Sequence, residues 1–450
     1  MMHTQAVFGW PQILRLGLVQ ACLGAVVVVT TSTLNRVMVV ELALPALLPG
    51  LLVAWHYGVQ MVRPRMGFGA DLGRRNTPWM MGGMAVLGVG GVLAALATVW
   101  MAQSRLQGTL LATLAFALIG LGVSACGTSL LTLMAKRVPD QRRAPAATVV
   151  WMMMILGFAL TAGMVGRLID PYTPETLLRV SAGLSVLTLA ITAASLWRLE
   201  GPAPAPNAQP SAPTAPAADK PRFAQAFAAV WDEPAARTFT VFVFLSMLAY
   251  SAQDLVLEPF AGAVHGLTPG QTTQLSGVHH SGVLAGMIAV ALAGSARARG
   301  RLGSVQGWMV GGCLASALAT VGLSWAALEP HWPLTLNVVL LGVANGAFSI
   351  AAIATMMRLA GEGGPGREGT RMGLWGAAQA LAFGLGGVVG TGASDLAHLW
   401  FGGHGNAYAS VFALQALMFV VSALVALRLG RKRRTTAPNG RVPDPSFEQG

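Results

Sequence analysis

The chain has 450 residues, 54% of them hydrophobic and 10% charged, with a mean hydropathy of +0.60. No water-soluble core absorbs that much apolar surface, so soluble multidomain architectures are excluded and lipid is the expected solvent. The formal net charge of +12 raises nucleic-acid binding, but the basic residues sit in short segments between apolar runs, with no separate basic domain to enter a groove.

The apolar runs are about 20 to 25 residues long, enough to cross roughly 30 Å of hydrocarbon at 1.5 Å per residue. They predict twelve transmembrane helices, over 13–34, 43–62, 78–101, 108–134, 145–165, 177–197, 238–257, 275–295, 304–328, 332–357, 372–393 and 407–427. Residues 1–14 lack the apolar region of a cleavable signal, so the first run is expected to stay as a span. Cys22, Cys126 and Cys313 fall in three different runs. They suggest packing residues rather than a disulfide or metal framework.

With the N-terminus inside, all of the 29 basic residues except Arg36, Arg105, Arg167 and Arg179 lie on the inner side. Lys and Arg are retained there during insertion, so both termini are expected in the cytoplasm of a bacterial inner or intracytoplasmic membrane. The inner face should favour anionic membrane lipids, most strongly at Arg431, Lys432, Arg433 and Arg434.

Between the sixth and seventh runs, 201–221 carries seven prolines in 21 residues, the composition of a flexible or polyproline-like linker. Phe223, Phe227, Val230 and Trp231 then recur at helical spacing, which predicts a short interfacial helix. The expected organisation is a six-helix bundle over 1–200, a linker with its interfacial helix over 201–236, a second six-helix bundle over 237–429, and a basic tail over 430–450. This all-α, polytopic layout resembles that of the major facilitator superfamily, two six-helix halves about a central cavity.

The halves echo one another. Thr33-Leu-Asn-Arg-Val-Met-Val-Val-Glu41 at the outer end of span one matches Tyr250-Ser-Ala-Gln-Asp-Leu-Val-Leu-Glu258 at that of span seven. Asn35 and Arg36 precede Glu41 as Gln253 and Asp254 precede Glu258. These six residues are read as a polar cluster at the outer mouth, where Arg36 and Asp254 would pair, because membrane charges are costly unless paired. Ordinary charges at helix ends are the plain alternative.

The loop after span two, Gly67-Phe-Gly-Ala-Asp71-Leu-Gly73-Arg74-Arg75, resembles the superfamily's glycine, aspartate and double-basic loop with one residue fewer. Glycines allow the tight turn, and Asp71 can accept hydrogen bonds from a neighbouring helix end or arginine. None of the 17 acids is predicted at mid-depth, which leaves any proton coupling to the outer rim. His56 within span two, and His279 with His280 in span eight, are candidate ligands for a pigment magnesium, with ordinary packing histidines as the alternative. No direct protein metal site is expected.

Three blocks resemble the PucC/LhaA family of phototrophic bacteria: 33–42, 248–259 with its Gln253-Asp254 to Glu258-Pro259 core, and Gly366-Arg-Glu-Gly-Thr-Arg-Met-Gly373. Trp231-Asp-Glu-Pro-Ala-Ala-Arg237 is similar too. The resemblance spans roughly 13–430. It implies a non-enzymatic assembly factor that takes bacteriochlorophyll or a late precursor as cargo and delivers it to light-harvesting antenna polypeptides, with pigment-synthesis enzymes as further partners. The shortened 67–75 loop points to a third branch, distinct from PucC and LhaA themselves. An alternating-access transporter of a small solute is the other reading. No nucleophile–base pair, nucleotide loop or metal-ligand spacing supports an enzyme.

Overall fold

A computed structural model describes residues 8–62, 75–200, 231–293, 303–329, 331–361 and 368–436. Among them are twelve membrane-scale helices: α1 Trp10–Glu41, α2 Leu47–Val59, α3 Thr77–Met101, α4 Arg105–Arg137, α5 Asp140–Ile169, α6 Pro174–Leu196, α7 Pro234–His265, α8 Pro269–Ala293, α9 Val305–Ala326, α10 Leu334–Gly361, α11 Glu368–Phe401 and α12 His404–Thr436. Eleven are long and apolar enough to cross a membrane. The exception is α2, whose 13 residues rise about 20 Å and are followed, among the described residues, by the tight turn Gln60–Val62. Its predicted start at 43 is displaced because Ala43 adopts a left-handed φ of 48° and Pro45 follows it.

The exterior is apolar, with Leu106, Leu318 and Leu399 71%, 73% and 81% exposed, as expected where lipid replaces water. Inside, Phe239, Phe242, Phe348, Trp375 and Phe419 fill one core and Phe260, Tyr408 and Phe412 another. The three cysteines are buried free thiols.

Duplication is visible in the packing. In the first six helices, α1 lies against α5 and α6, α3 against α4 and α6, and α2 against α4. The same pairs recur six helices later: α7 against α11 and α12, α9 against α10 and α12, α8 against α10. Across the halves α5 meets α8 and α2 meets α11, which the same pseudo-twofold relation exchanges. At the first of these seams small residues let backbones touch: a methyl added at Gly166 would lie 2.6 Å from the Gly270 carbonyl oxygen. This is the major facilitator fold.

Several helices run further than the predicted spans, α11 to Phe401 and α12 to Thr436 among them, and two such extensions carry polar residues of the candidate site. α1 continues past 34 to Glu41, and α7 continues past 257 through Pro259 to His265, where Gly266, φ 65°, closes it in the left-handed cap conformation. The end of the bundle near Trp10 is called the terminal end, and the opposite one the far end. The interfacial helix expected before Trp231 and the linker lie outside the described residues, as do Gly67, Asp71, Gly73 and Arg74 of the loop motif. Arg75 alone is described, half-buried at the foot of α3.

Candidate functional site

Of the six polar residues assigned to an outer mouth, Asn35, Arg36, Gln253 and Glu258 are buried inside the bundle, Asp254 is half-buried, and Glu41 is exposed at the end of α1. α1 is widened by two π-helical turns, Val29–Thr33 and Val37–Glu41, either side of Leu34–Arg36. Each such turn accommodates an extra residue and re-aims the side chains after it, a device common at functional sites. Here it turns Ser32, Thr33, Asn35 and Arg36, all at most 6% exposed, toward the second half. Ser32 donates to the Glu258 carboxylate, Thr33 and Thr273 share a hydroxyl hydrogen bond of 3.0 Å, and Asn35 donates to the Leu255 carbonyl at 2.7 Å.

Arg36 does not pair with Asp254. Its guanidinium donates to Glu41 at 2.6 Å and to the Leu267 carbonyl at 2.8 Å, and lies over Gly262 of α7. The nearer acid is five residues along the same helix, and the turn just after α7 supplies a backbone carbonyl rather than a carboxylate to the rest of the fork. Nor is the interior free of acids. Asp254 is about 16 Å, and Glu258 about 10 Å, below the last residue of α7 at 1.5 Å per residue, so the expectation of rim-only carboxylates fails.

In the second half, Gln253 and His279 are fully buried and meet at Asn345 of α10. The Asn345 amide donates to Gln253 Oε1 at 2.9 Å, lies 3.3 Å from His279 Nε2, and accepts from Ser316 of α9 at 2.8 Å. His280 places Nδ1 2.9 Å from the Ser276 carbonyl. Donor atoms of Asp254, His279 and His280 all lie within 4.8 Å of one another.

His56 is elsewhere, buried on α2 with Nε2 2.7 Å from the Gln60 amide nitrogen. The structure nonetheless connects it to the α8 pair through rings. His56 meets Tyr57 (centroids 4.9 Å), Tyr57 meets Phe383 of α11 (5.6 Å), Phe383 meets Tyr250 of α7 (6.1 Å), and Tyr250 meets His279 (6.2 Å). His279 then meets His280 (5.2 Å), which meets Phe158 of α5 edge-on (5.0 Å). The chain of rings crosses both seams between the halves. Tyr57, Phe158, Tyr250 and Phe383 are only partly buried. It offers flat, polarisable surface with few charges, suited to an aromatic ligand.

Sequence reading missed Ser32, Asn345, Asp395 and the Tyr250–Phe383 link. Asn345 carried a usable signal, an amide inside an apolar span. Asp395 gave less, since only the fold brings its carboxylate onto the Ala46 and Leu47 amides of the opposite half, at 2.9 and 2.8 Å.

Comparison with known proteins agrees with this architecture. A solved bacterial homologue of the human lysosomal transporter Spinster, inward-facing and unoccupied, superposes with a TM-score of 0.63 at 15% identity, covering 93% of this chain and 95% of that one. That likeness concerns the fold. A Rhodobacter capsulatus protein described as "Bacteriochlorophyll synthase 44.5 kDa chain" is 50% identical over 93% of this chain and 95% of its own. "Protein PucC" of Rhodobacter capsulatus is 29% identical over 93% and 92%. The family profile described as "PUCC protein" matches residues 33–434, and the chain belongs to that family.

Proposed function

We propose that this membrane protein is an assembly factor that binds bacteriochlorophyll, or a late precursor, and hands it to light-harvesting antenna polypeptides. The observation that carries the reading is the chain of rings from His56 to Phe158 across both seams, a surface matched to a flat macrocycle. Family membership and the pigment-related names of its relatives support it. The candidate axial ligand to the pigment magnesium is His56, which has to release Gln60 from Nε2 to bind it. His279 and His280 suit that task less well, because they converge with Asp254 while a ring-bound magnesium takes few further ligands.

The chain then works beside antenna polypeptides or pigment-synthesis enzymes, as a carrier rather than a catalyst. Arg36, Arg105, Arg167 and Arg179 are the only basic residues expected toward the far end, which supports cytoplasmic termini in an inner or intracytoplasmic membrane. Alternating-access transport of a solute is the second reading, favoured by Glu258 buried at the interface of the halves.

The test is the absorption spectrum, with pigment extraction and mass identification, of protein purified in mild detergent from a phototrophic host. Stoichiometric bacteriochlorin absorption, reduced in Tyr57→Ala and Phe383→Ala and lost in His56→Leu, is the expected result. Pigment-free wild-type protein, together with solute flux in pigment-free vesicles, would replace delivery by the transport reading.

A further inference from the structure

We propose that Asp254, His279 and His280 form a binding site for a bare divalent cation of the zinc class. This goes beyond the pigment reading and does not depend on it. The three donors come from two neighbouring helices, α7 and α8, and their ligand atoms all lie within 4.8 Å of one another. A cation with bonds of about 2.1 Å holds its ligands roughly 3 to 3.5 Å apart. Small side-chain rotations close the difference.

Each donor is prepared for the role. The Ser276 carbonyl accepts from His280 Nδ1 at 2.9 Å, which fixes the proton there and leaves the lone pair on Nε2. A backbone carbonyl behind a ligating imidazole is the usual way proteins orient a metal-binding histidine. His279 is 0% exposed, and its Nδ1 has no hydrogen-bond partner; to ligate there, the ring proton moves to Nε2 and the Asn345 amide beside it turns. Buried polar atoms are rarely left so, and each one asks for an explanation such as an ion. Among the described residues no hydrogen bond joins Asp254 to either imidazole, nor to any other donor. Even half-buried, a carboxylate between apolar helices without a partner is costly. A cation placed between the three groups satisfies all of them together.

The donor chemistry selects the class. Two imidazoles and one carboxylate suit zinc, cobalt or nickel, whereas free magnesium and calcium prefer sets made only of oxygen. A magnesium already chelated by a tetrapyrrole has four ring nitrogens and cannot use three clustered protein donors. Three protein ligands also leave a coordination position for water or a ligand group. Phe158 of α5 stands edge-on to His280, so the site adjoins the α5–α8 seam. A bound cation there would stiffen the joint between the halves.

The test uses the full chain, made in a host without bacteriochlorophyll, so that failure of the pigment reading cannot affect it. A tag free of histidine is needed. The surface pair of half-buried His398 and exposed His404, with ring nitrogens 2.9 Å apart, is replaced by alanine in every sample to remove adventitious binding. Cobalt(II) titration followed by visible absorption, zinc competition and elemental analysis then read stoichiometry and affinity.

One zinc per chain, displacing cobalt, with affinity falling at least about tenfold in each of Asp254→Asn, His279→Asn and His280→Asn, is the expected result. Asp254→Asn keeps the side-chain shape and serves if a histidine variant fails to fold. Protein with Asp254, His279 and His280 intact that retains no zinc or cobalt after gel filtration overturns the proposal, as does binding unchanged in the folded variants.

Discussion

Ser32 of α1 donates its hydroxyl to the carboxylate of Glu258 in α7, so a serine of one half holds a buried acid of the other. Both are at most 6% exposed. Ser32 lies in the first π-helical turn of α1, at the seam between the halves.

Ser32→Ala is therefore expected to cost about 1–3 kcal/mol, the range for leaving a buried polar group unsatisfied. Glu258→Gln keeps an acceptor for Ser32 and removes the buried charge, so its cost should be smaller. Thermal unfolding of the detergent-purified variants orders the two. A larger loss in Glu258→Gln than in Ser32→Ala would mean that the charge itself, and not the hydrogen bond, stabilises the seam.

Arg36 and Gly262 are expected to be energetically coupled. A methyl added at Gly262 would sit 2.9 to 3.0 Å from the Arg36 guanidinium, so Gly262→Ala must displace the group that holds Glu41 and the Leu267 carbonyl. In an Arg36→Ala background that conflict disappears. A double-mutant cycle should give a coupling of about 1 kcal/mol or more, with the glycine substitution cheaper in the second background. Additive effects would show that α7 yields around the methyl without disturbing Arg36.

The spans were legible because a run of about 20 apolar residues maps directly onto bilayer thickness. The two halves were legible because 33–41 and 250–258 share a pattern. Depth was not. Asn35, Arg36, Asp254 and Glu258 interrupt the apolar runs, so hydropathy ends each span beside them, and only the fold reveals that Asn35, Arg36 and Glu258 find hydrogen-bond partners in the other half. The same limit hides convergence. Asp254 and His279 are 25 residues apart, with no motif spacing between them, and meet because α7 and α8 form a hairpin. Loop residues 67–74, which carried the superfamily pattern, lie outside the described residues.

Asp395 of α11 should act as an N-terminal cap supplied by the opposite half. Its two carboxylate oxygens accept from the Ala46 and Leu47 amides at the start of α2, where the helix dipole also favours negative charge. Asp395→Ala should cost about 0.5–2 kcal/mol, the usual range for a lost cap. Asp395→Asn should fall between alanine and wild type. Hydrogen–deuterium exchange at 46–50 should rise in the same order. Unchanged protection there would mean that Pro45 and the packing of α2 on α11 suffice to start the helix.

Glu200, just beyond α6 at the terminal end, gives the fold an acid-sensitive latch. It accepts from the Asn76 amide and side chain at 2.7 and 3.0 Å, and from the Thr77 amide and hydroxyl at 2.6 Å each. Partial burial, the largest single influence, pushes its pKa up, but the hydrogen bonds together outweigh it and hold the carboxyl below its ordinary value of 4.5. A carboxyl depressed in the folded state stabilises the fold fully above the ordinary value and loses that contribution as pH falls through the lower, folded one. Unfolding midpoints of wild-type protein should therefore drop as pH falls below about 4.5, and Glu200→Gln should flatten that part of the profile while lowering the plateau near neutrality. A profile equally steep in Glu200→Gln would assign the acid sensitivity to other carboxylates and leave Glu200 a packing contact at the base of α3.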